Sequence, residues 1–523
     1  MKKFTFFLFA SFFCLEWAEG LGRGEDKRGQ PEPATSLYNV LKNYEFLEGL
    51  HQTARDNKRI NGRLEECFGV LGCFNTETGA MSHLGVLPDS PDELRAAFYL
   101  YTPENPTDPQ TISWEDLEII QQSNWRPGRP TKFLAHGFNE DGFHPWMIGL
   151  KDTFLAKEPM NVVCVDYHHG SQAPNYLQAA ANSEIVGRMI ANTAILMTGL
   201  GASLADFHVI GFSLGAQVAG HAGEWFKETG AGAKLGRITG LDAAAPFFTD
   251  LEYQGDRTHL DPSDASFVDV IHSNAAHLLL GGVGAKEALG HVDFYPNGGK
   301  AQPECPNVIF HTFEQLFGDG EEDEDSICNH RRAHYYYEES VLSDCVFVGF
   351  PCTGIDDFDD FKDGLCFSCP EGGACGVMGY NSPASTSRGS FFFKTRGEAP
   401  FCGTQYHVAV FVNDNQFNSW GLLRVTIQAT GESFDVTGER EKLEQGEEMK
   451  TAAVGRFQPP GETMDISLRY EASDNLILPG KDQWYFDYVK ITIAGGNTYY
   501  YCGMRTMIET HKEIAMTLTQ TPC

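Results

Sequence analysis

Ser213 stands between Gly211 and Gly215 in the run His208-Val-Ile-Gly-Phe-Ser-Leu-Gly-Ala216. A serine in that G-x-S-x-G pattern has the form of a nucleophile for acyl transfer. The apolar residues Phe207 to Ile210 read as a buried strand, and Ala216 to Phe226 as a helix. A turn tight enough to join them leaves no room for a side chain at 211 or 215, hence glycine at both. A serine also needs a base to take its proton and an acid to orient that base. Asp242 ends the strand-like run Arg237-Ile-Thr-Gly-Leu241 and fits the acid, although a turn or helix-capping aspartate would look the same. Asp269 competes, but inside Phe267-Val-Asp-Val-Ile271 it reads as a strand residue. Among seventeen histidines, His330 is distinguished by following Cys328-Asn329 at the end of a cysteine-bounded loop; a surface histidine is the plainer alternative. The negative charge that develops on an attacked carbonyl needs aimed amides. The run Lys132-Phe-Leu-Ala135 ends in the turn His136-Gly137-Phe138, which makes the amides of Phe138 and Leu214 the candidates and leaves His136 a structural role.

These residues require elements to hold them. Over 66–402, short apolar runs alternate with helical segments: Thr131 to Ala135, Val162 to Asp166, Phe207 to Ile210, Arg237 to Leu241 and Ser266 to His272. That alternation predicts a mostly parallel sheet flanked by helices. Over 403–523 the period changes to two, as in Val408-Ala-Val-Phe-Val412 and Trp484-Tyr-Phe-Asp-Tyr-Val-Lys-Ile-Thr-Ile493, which predicts an antiparallel β-sandwich. A chain of 523 residues exceeds one ordinary core, so separate domains are expected.

Residues 1–20 read as a signal peptide, with Lys2 and Lys3 before the apolar stretch Phe4 to Leu15. Residues 21–65 form an extension, a candidate propeptide, with a helix expected near Ser36 to Asn57 and dibasic pairs at Lys27-Arg28 and Lys58-Arg59. No later run reaches the roughly twenty apolar residues of a membrane span, so a secreted, extracellular protein is expected. Of fourteen cysteines, Cys14 falls in the signal. Cys67/Cys73, Cys305/Cys328, Cys352/Cys366, Cys369/Cys375 and Cys502/Cys523 are spaced as bridged loops of an oxidising compartment. Zinc is the weaker reading, since Cys366-Phe-Ser-Cys369 lacks a second compact ligand pair. Cys164 reads as a buried thiol, and Cys345 and Cys402 are left over with their pairing open. The net charge of −32 repels phosphate and argues against a nucleic-acid partner.

Longer stretches carry a resemblance. LEECFGVLGCF, FLAHGF, VIGFSLGAQVAGHAG, GRITGLDAAAPFF, HLDPSDASFVDVIHS, GHVDFYPNGG, ICNHRRAHYYYEESV, CFSCPEGGACGVMGY and the terminal TLTQTPC resemble the pancreatic-type triacylglycerol lipase family from about Cys67 to Cys523. The resemblance implies an α/β hydrolase fold followed by a PLAT-like sandwich that meets lipid or a partner. It implies Ser213 as nucleophile, Asp242 as acid, His330 as base, and Phe138 and Leu214 as oxyanion donors. It implies structural Ca2+ at His259-Leu-Asp-Pro-Ser-Asp264, through the carboxylates of Asp261 and Asp264 and the carbonyls of Asp256 and His259. It also implies a lid over 306–327, with Val308, Ile309, Phe310, Phe313, Leu316 and Phe317 as an apolar helical face. The acids Asp319 and Glu321 to Asp325 would keep one end of that lid solvated.

The implied activity is hydrolysis of triacylglycerols in lipid aggregates, with a colipase-like protein as a candidate partner. Phospholipase A1 or galactolipase action is the alternative, and a non-catalytic, yolk-type lipid-binding protein is the other class. Relatives that prefer phospholipid usually have a shorter lid, and yolk-type relatives lose the serine or its partners. Five departures from the family pattern stand out: Ala243 after the acid, about five extra residues around Lys227 to Lys234, a few more before Asp261, the long segment Leu21 to Glu65, and the acidic lid run.

Overall fold

A computed structural model describes residues 33–61, 64–229, 233–249, 257–306, 327–352, 357–369, 374–414, 418–456, 461–475 and 478–523. Two compact units emerge: Pro31–Pro351 with Pro370–Cys402, and Cys352–Cys369 with Gly403–Cys523.

The first unit is built on β1 (Thr131–Ala135), β2 (Asn161–Asp166), β3 (Phe207–Phe212), β4 (Leu235–Leu241), β5 (Ala265–Ile271), β6 (Val292–Pro296) and β7 (Gly389–Phe393). These lie in the order β7-β6-β5-β4-β3-β1-β2, every neighbour parallel. Antiparallel strands Ala97–Tyr101 and Gln110–Ile112 extend one edge, and Val348–Pro351 and Gly376–Val377 the other. Every residue of β1, β2 and β3 is buried, as a sheet covered on both faces demands.

The longest helices among the described residues are α1 (Pro33–Asn61), α2 (Pro145–Lys157), α3 (Tyr176–Gly199), α4 (Leu214–Thr229) and α5 (Cys328–Leu342). Strand side chains alternate between them. Phe133 and Val209 join Ile185, Met189 and Val218 of α3 and α4 in one cluster. Leu134 and Ile210 join Leu150 and Phe154 of α2 and Tyr336 and Tyr337 of α5 in another. The helix expected near Ser36 to Asn57 is α1, and Leu47 and Ala54, seven apart and so on one helical face, bury into the first cluster.

In the second unit, nine antiparallel strands among the described residues enclose Tyr406, Leu423, Leu468, Trp484 and Ile491. Strict alternation fails within Gln483–Ile493. Trp484 and Phe486 point inward, but the next buried residue is Val489, because the register of Gln483–Ile493 shifts between Phe486 and Tyr488. A bulge of this kind re-phases a strand without ending it. Asp487 at the bulge accepts hydrogen bonds from Asn413 Nδ2 at 2.7 Å and Arg505 N at 2.8 Å.

Disulfides join Cys67–Cys73, Cys305–Cys328, Cys345–Cys402, Cys352–Cys366 and Cys502–Cys523. Cys369 and Cys375 are disulfide-bonded as well, while Cys164 is a buried thiol. Among the described residues, no helix is long and apolar enough to cross a membrane.

Candidate active site

Ser213 sits where β3 ends and α4 begins. A Cβ at Gly211 would lie 2.0 Å from the Gly215 carbonyl oxygen, and one at Gly215 would lie 2.2 Å from that of Ala135. Both are overlaps with backbone, so glycine is required by space at each position. Ser213 itself has φ 54, a left-handed conformation that a side chain adopts at a cost. Its amide donates to Leu241 O at 3.0 Å and its carbonyl accepts from Ala216 N at 3.0 Å and Ala244 N at 3.1 Å, which hold the strain in place. Leu214 is the first residue of α4, where amides have no partner within the helix and the helix dipole is positive.

The opposing turn follows β1. Glu140 Oε2 accepts from Gly137 N at 2.8 Å and Trp146 Nε1 at 3.1 Å, and Asn139 N donates to Ser171 O at 2.8 Å. Phe138 is therefore fixed from both sides, its ring edge-on to Tyr176 at 5.1 Å. His136 is buried and stacked on Tyr167, with both ring nitrogens engaged by Gly137 O and Tyr167 N, a structural role.

Asp242 follows β4, is fully buried and has φ 47. Its Oδ1 accepts from Ser273 N at 2.7 Å and Asn274 N at 3.0 Å, and its Oδ2 lies 2.5 Å from His330 Nδ1. A carboxylate can only accept, so Nδ1 carries the hydrogen and Nε2 keeps its lone pair for a hydroxyl. His330 sits beside the elbow, its ring 4.5 Å from that of Phe212. Three tethers hold it: Ser273 Oγ donates to its carbonyl at 3.1 Å, Cys328 two residues earlier is bonded to Cys305, and Gln302 N donates to Asn329 Oδ1 at 2.6 Å. One turn further on, burial holds the His334 imidazole well below the ordinary histidine range.

Rival residues have other partners. Asp269 clasps Arg237 with two bonds of 2.8 Å and accepts from Thr239 Oγ1, within β4 and β5. His272 forms a second buried imidazole–carboxylate pair, with Asp293 at 2.8 Å. Its Nδ1 faces Ala285 O at 2.9 Å, so it keeps no lone pair for a base. Burial opposes its charge, but the Asp293 carboxylate prevails and raises its pKa.

Glu140, Gly284 and the Ser273 and Asn274 amides escape the sequence reading. Backbone donors carry no side-chain signature, whereas Glu140, three residues after Gly137, could have been flagged as an acid beside a candidate oxyanion turn. A Cβ on Gly284 would lie 2.5 Å from Asp242 Oδ1. Gly284→Ala is therefore expected to displace the acid and lower kcat about a hundredfold, with circular dichroism unchanged. Equal kcat for variant and parent would refute that role.

The lid positions Val308, Ile309, Phe310, Phe313, Leu316 and Phe317 lie outside the described residues, as does Asp256. His259 Nδ1 faces Leu260 O at 2.9 Å. Asp261 and Asp264 both face the ammonium of Lys227 on α4. Among the described residues, Asp261 and Asp264 do not fit a calcium site, because a cation of the protein's own stands where their free carboxylate oxygens converge.

Residues 65–401 match the family model described as Lipase. Pancreatic lipase-related protein 2 of Homo sapiens is 37% identical over 384 residues, 71% of this chain and 78% of that protein. Pancreatic triacylglycerol lipase of Myocastor coypus is 32% identical over 473 residues, 88% of this chain and 98% of that protein. Inactive pancreatic lipase-related protein 1 of Mus musculus is 38% identical over 358 residues, 66% of this chain and 73% of that protein. Identity alone therefore does not separate active from inactive relatives.

Proposed function

The chain belongs to the lipase family, and on that premise we propose that it is a secreted serine esterase cleaving the acyl esters of triacylglycerols at lipid–water interfaces. The observation that carries the catalytic reading is the Asp242–His330 pair at 2.5 Å, next to a Ser213 held in a left-handed turn. His330 Nε2 takes the hydroxyl proton as Ser213 Oγ attacks the ester carbonyl. The amides of Phe138 and Leu214 receive the oxyanion, and His330 then protonates the departing glycerol oxygen. A water deprotonated by His330 releases the fatty acid. Asp242 keeps the imidazole in the required tautomer and stabilises its cation.

Two features support this reading over the alternatives. The segment enclosed by the bonded pair Cys305–Cys328 is long, which by the family resemblance favours triacylglycerol over phospholipid. An acid–base pair kept intact favours an enzyme over a binding protein. The sandwich is assigned to contact with lipid or a partner protein.

The test is hydrolysis of emulsified triacylglycerol, phosphatidylcholine and galactolipid by the full chain. Triacylglycerol is expected to turn over fastest. Faster cleavage of either other lipid would replace the substrate and keep the mechanism, while no cleavage of any would remove the enzyme.

A further inference from the structure

Helix α4 meets the loop before β5 at backbone distance. A Cβ on Gly220 would lie 2.7 Å from Leu260 Cα, and one on Gly223 would lie 2.4 Å from Asp264 O. Lys227 is one turn beyond Gly223 on the same helical face, and helical side chains lean toward the N-terminus, back over that contact.

Its ammonium lies 2.9 Å from Asp264 Oδ1, 2.5 Å from Glu224 Oε2 and 3.7 Å from Asp261 Oδ2, and it also bonds Ser263 Oγ. The other oxygen of each aspartate is spent inside the loop. Asp261 Oδ1 accepts from Ser263 N at 2.6 Å, and Asp264 Oδ2 from Asp261 N at 2.8 Å. The oxygens left over, one from each of three carboxylates, therefore share a single counter-charge. Asp264 is 1% exposed, so water cannot supply the compensation. Arg257 Nε reaches the second oxygen of Glu224 at 3.0 Å and, shared with Glu228, adds a second positive charge at the rim of the cluster.

We infer that Lys227 is the built-in cation of this loop, taking the place that a divalent metal would hold, and that the chain folds and stays folded without calcium. Calcium binds carboxylate oxygens at about 2.3–2.6 Å, and an ammonium at the same focus both blocks and repels it. Lysine can serve because the loop is already clamped by Gly220 and Gly223. What remains is a need for charge rather than for multidentate geometry.

The experiment is thermal unfolding and calorimetric titration of the full chain in calcium chloride and in EGTA, for the parent and for Lys227→Met. The parent is expected to show the same Tm in both solutions and no stoichiometric calcium uptake. Lys227→Met is expected to unfold at least about 5 °C lower in EGTA, since it strands buried carboxylates. Recovery of that variant in calcium would strengthen the assignment, because the metal would then enter the vacated focus. A destabilised variant indifferent to calcium would still support the ammonium as counter-ion. Should Lys227→Met fail to fold, the parent's response to EGTA decides alone. A parent that binds calcium stoichiometrically and loses Tm in EGTA would overturn the inference, as would a variant as stable as the parent in EGTA.

Discussion

Ser213→Ala is expected to lower kcat on a soluble ester by about a millionfold, with Tm within about 1 °C of the parent. The size follows from the chemistry of the elbow, since Phe212 and Leu214, the other residues between Gly211 and Gly215, carry no nucleophile. The stability is spared because alanine inherits the same left-handed backbone, held by the Leu241, Ala216 and Ala244 hydrogen bonds that use main-chain atoms only. Covalent labelling by a fluorophosphonate should vanish in parallel. Retention of even a hundredth of the parent rate would assign the nucleophile elsewhere.

Asp242→Asn is expected to cost about four orders of magnitude in kcat. Asp242 Oδ1 accepts two backbone amides, from Ser273 and Asn274. In the variant the carboxamide oxygen must keep that position, which turns the NH2 toward His330 Nδ1. The imidazole then accepts at Nδ1 and carries its hydrogen on Nε2, the nitrogen that must take the serine proton. The protein stays folded with the wrong tautomer. Asp269→Asn separates the two roles: it disturbs the buried Arg237 pair and should lower Tm while the folded fraction keeps its kcat. Should the two variants exchange these effects, Asp269 would be the acid.

How much of this was legible beforehand depended on whether an element advertises itself through side chains. The parallel sheet was, because strands buried on both faces must be apolar throughout and so stand out as runs such as Val162 to Val165. The elbow was, because steric exclusion at 211 and 215 leaves a glycine signature. The Asp269 alternative could not be closed from sequence, since an aspartate inside a strand and one just past its end differ only in their neighbours in space. The bulge at Asp487 was invisible for a related reason: a one-residue slip leaves composition unchanged and appears only in the partner register. Lys227 was visible as part of a few extra residues, yet its bearing on the Asp261–Asp264 loop depends on how helix and loop cross. Charge balance at a site is a tertiary property, and a motif match sees only one side of it.

The Asp242–His330 contact links positions 88 apart, and both must meet a serine placed by a different strand. Closing such long loops is entropically costly, and contacts of that span are the ones a chain makes only as its topology completes. Turnover is thus a reporter of finished assembly. Under the proposed mechanism the chain has no hydrolytic power until β3, β4 and β5 lie side by side and α5 has brought His330 to Asp242, so the folding topology itself delays activity.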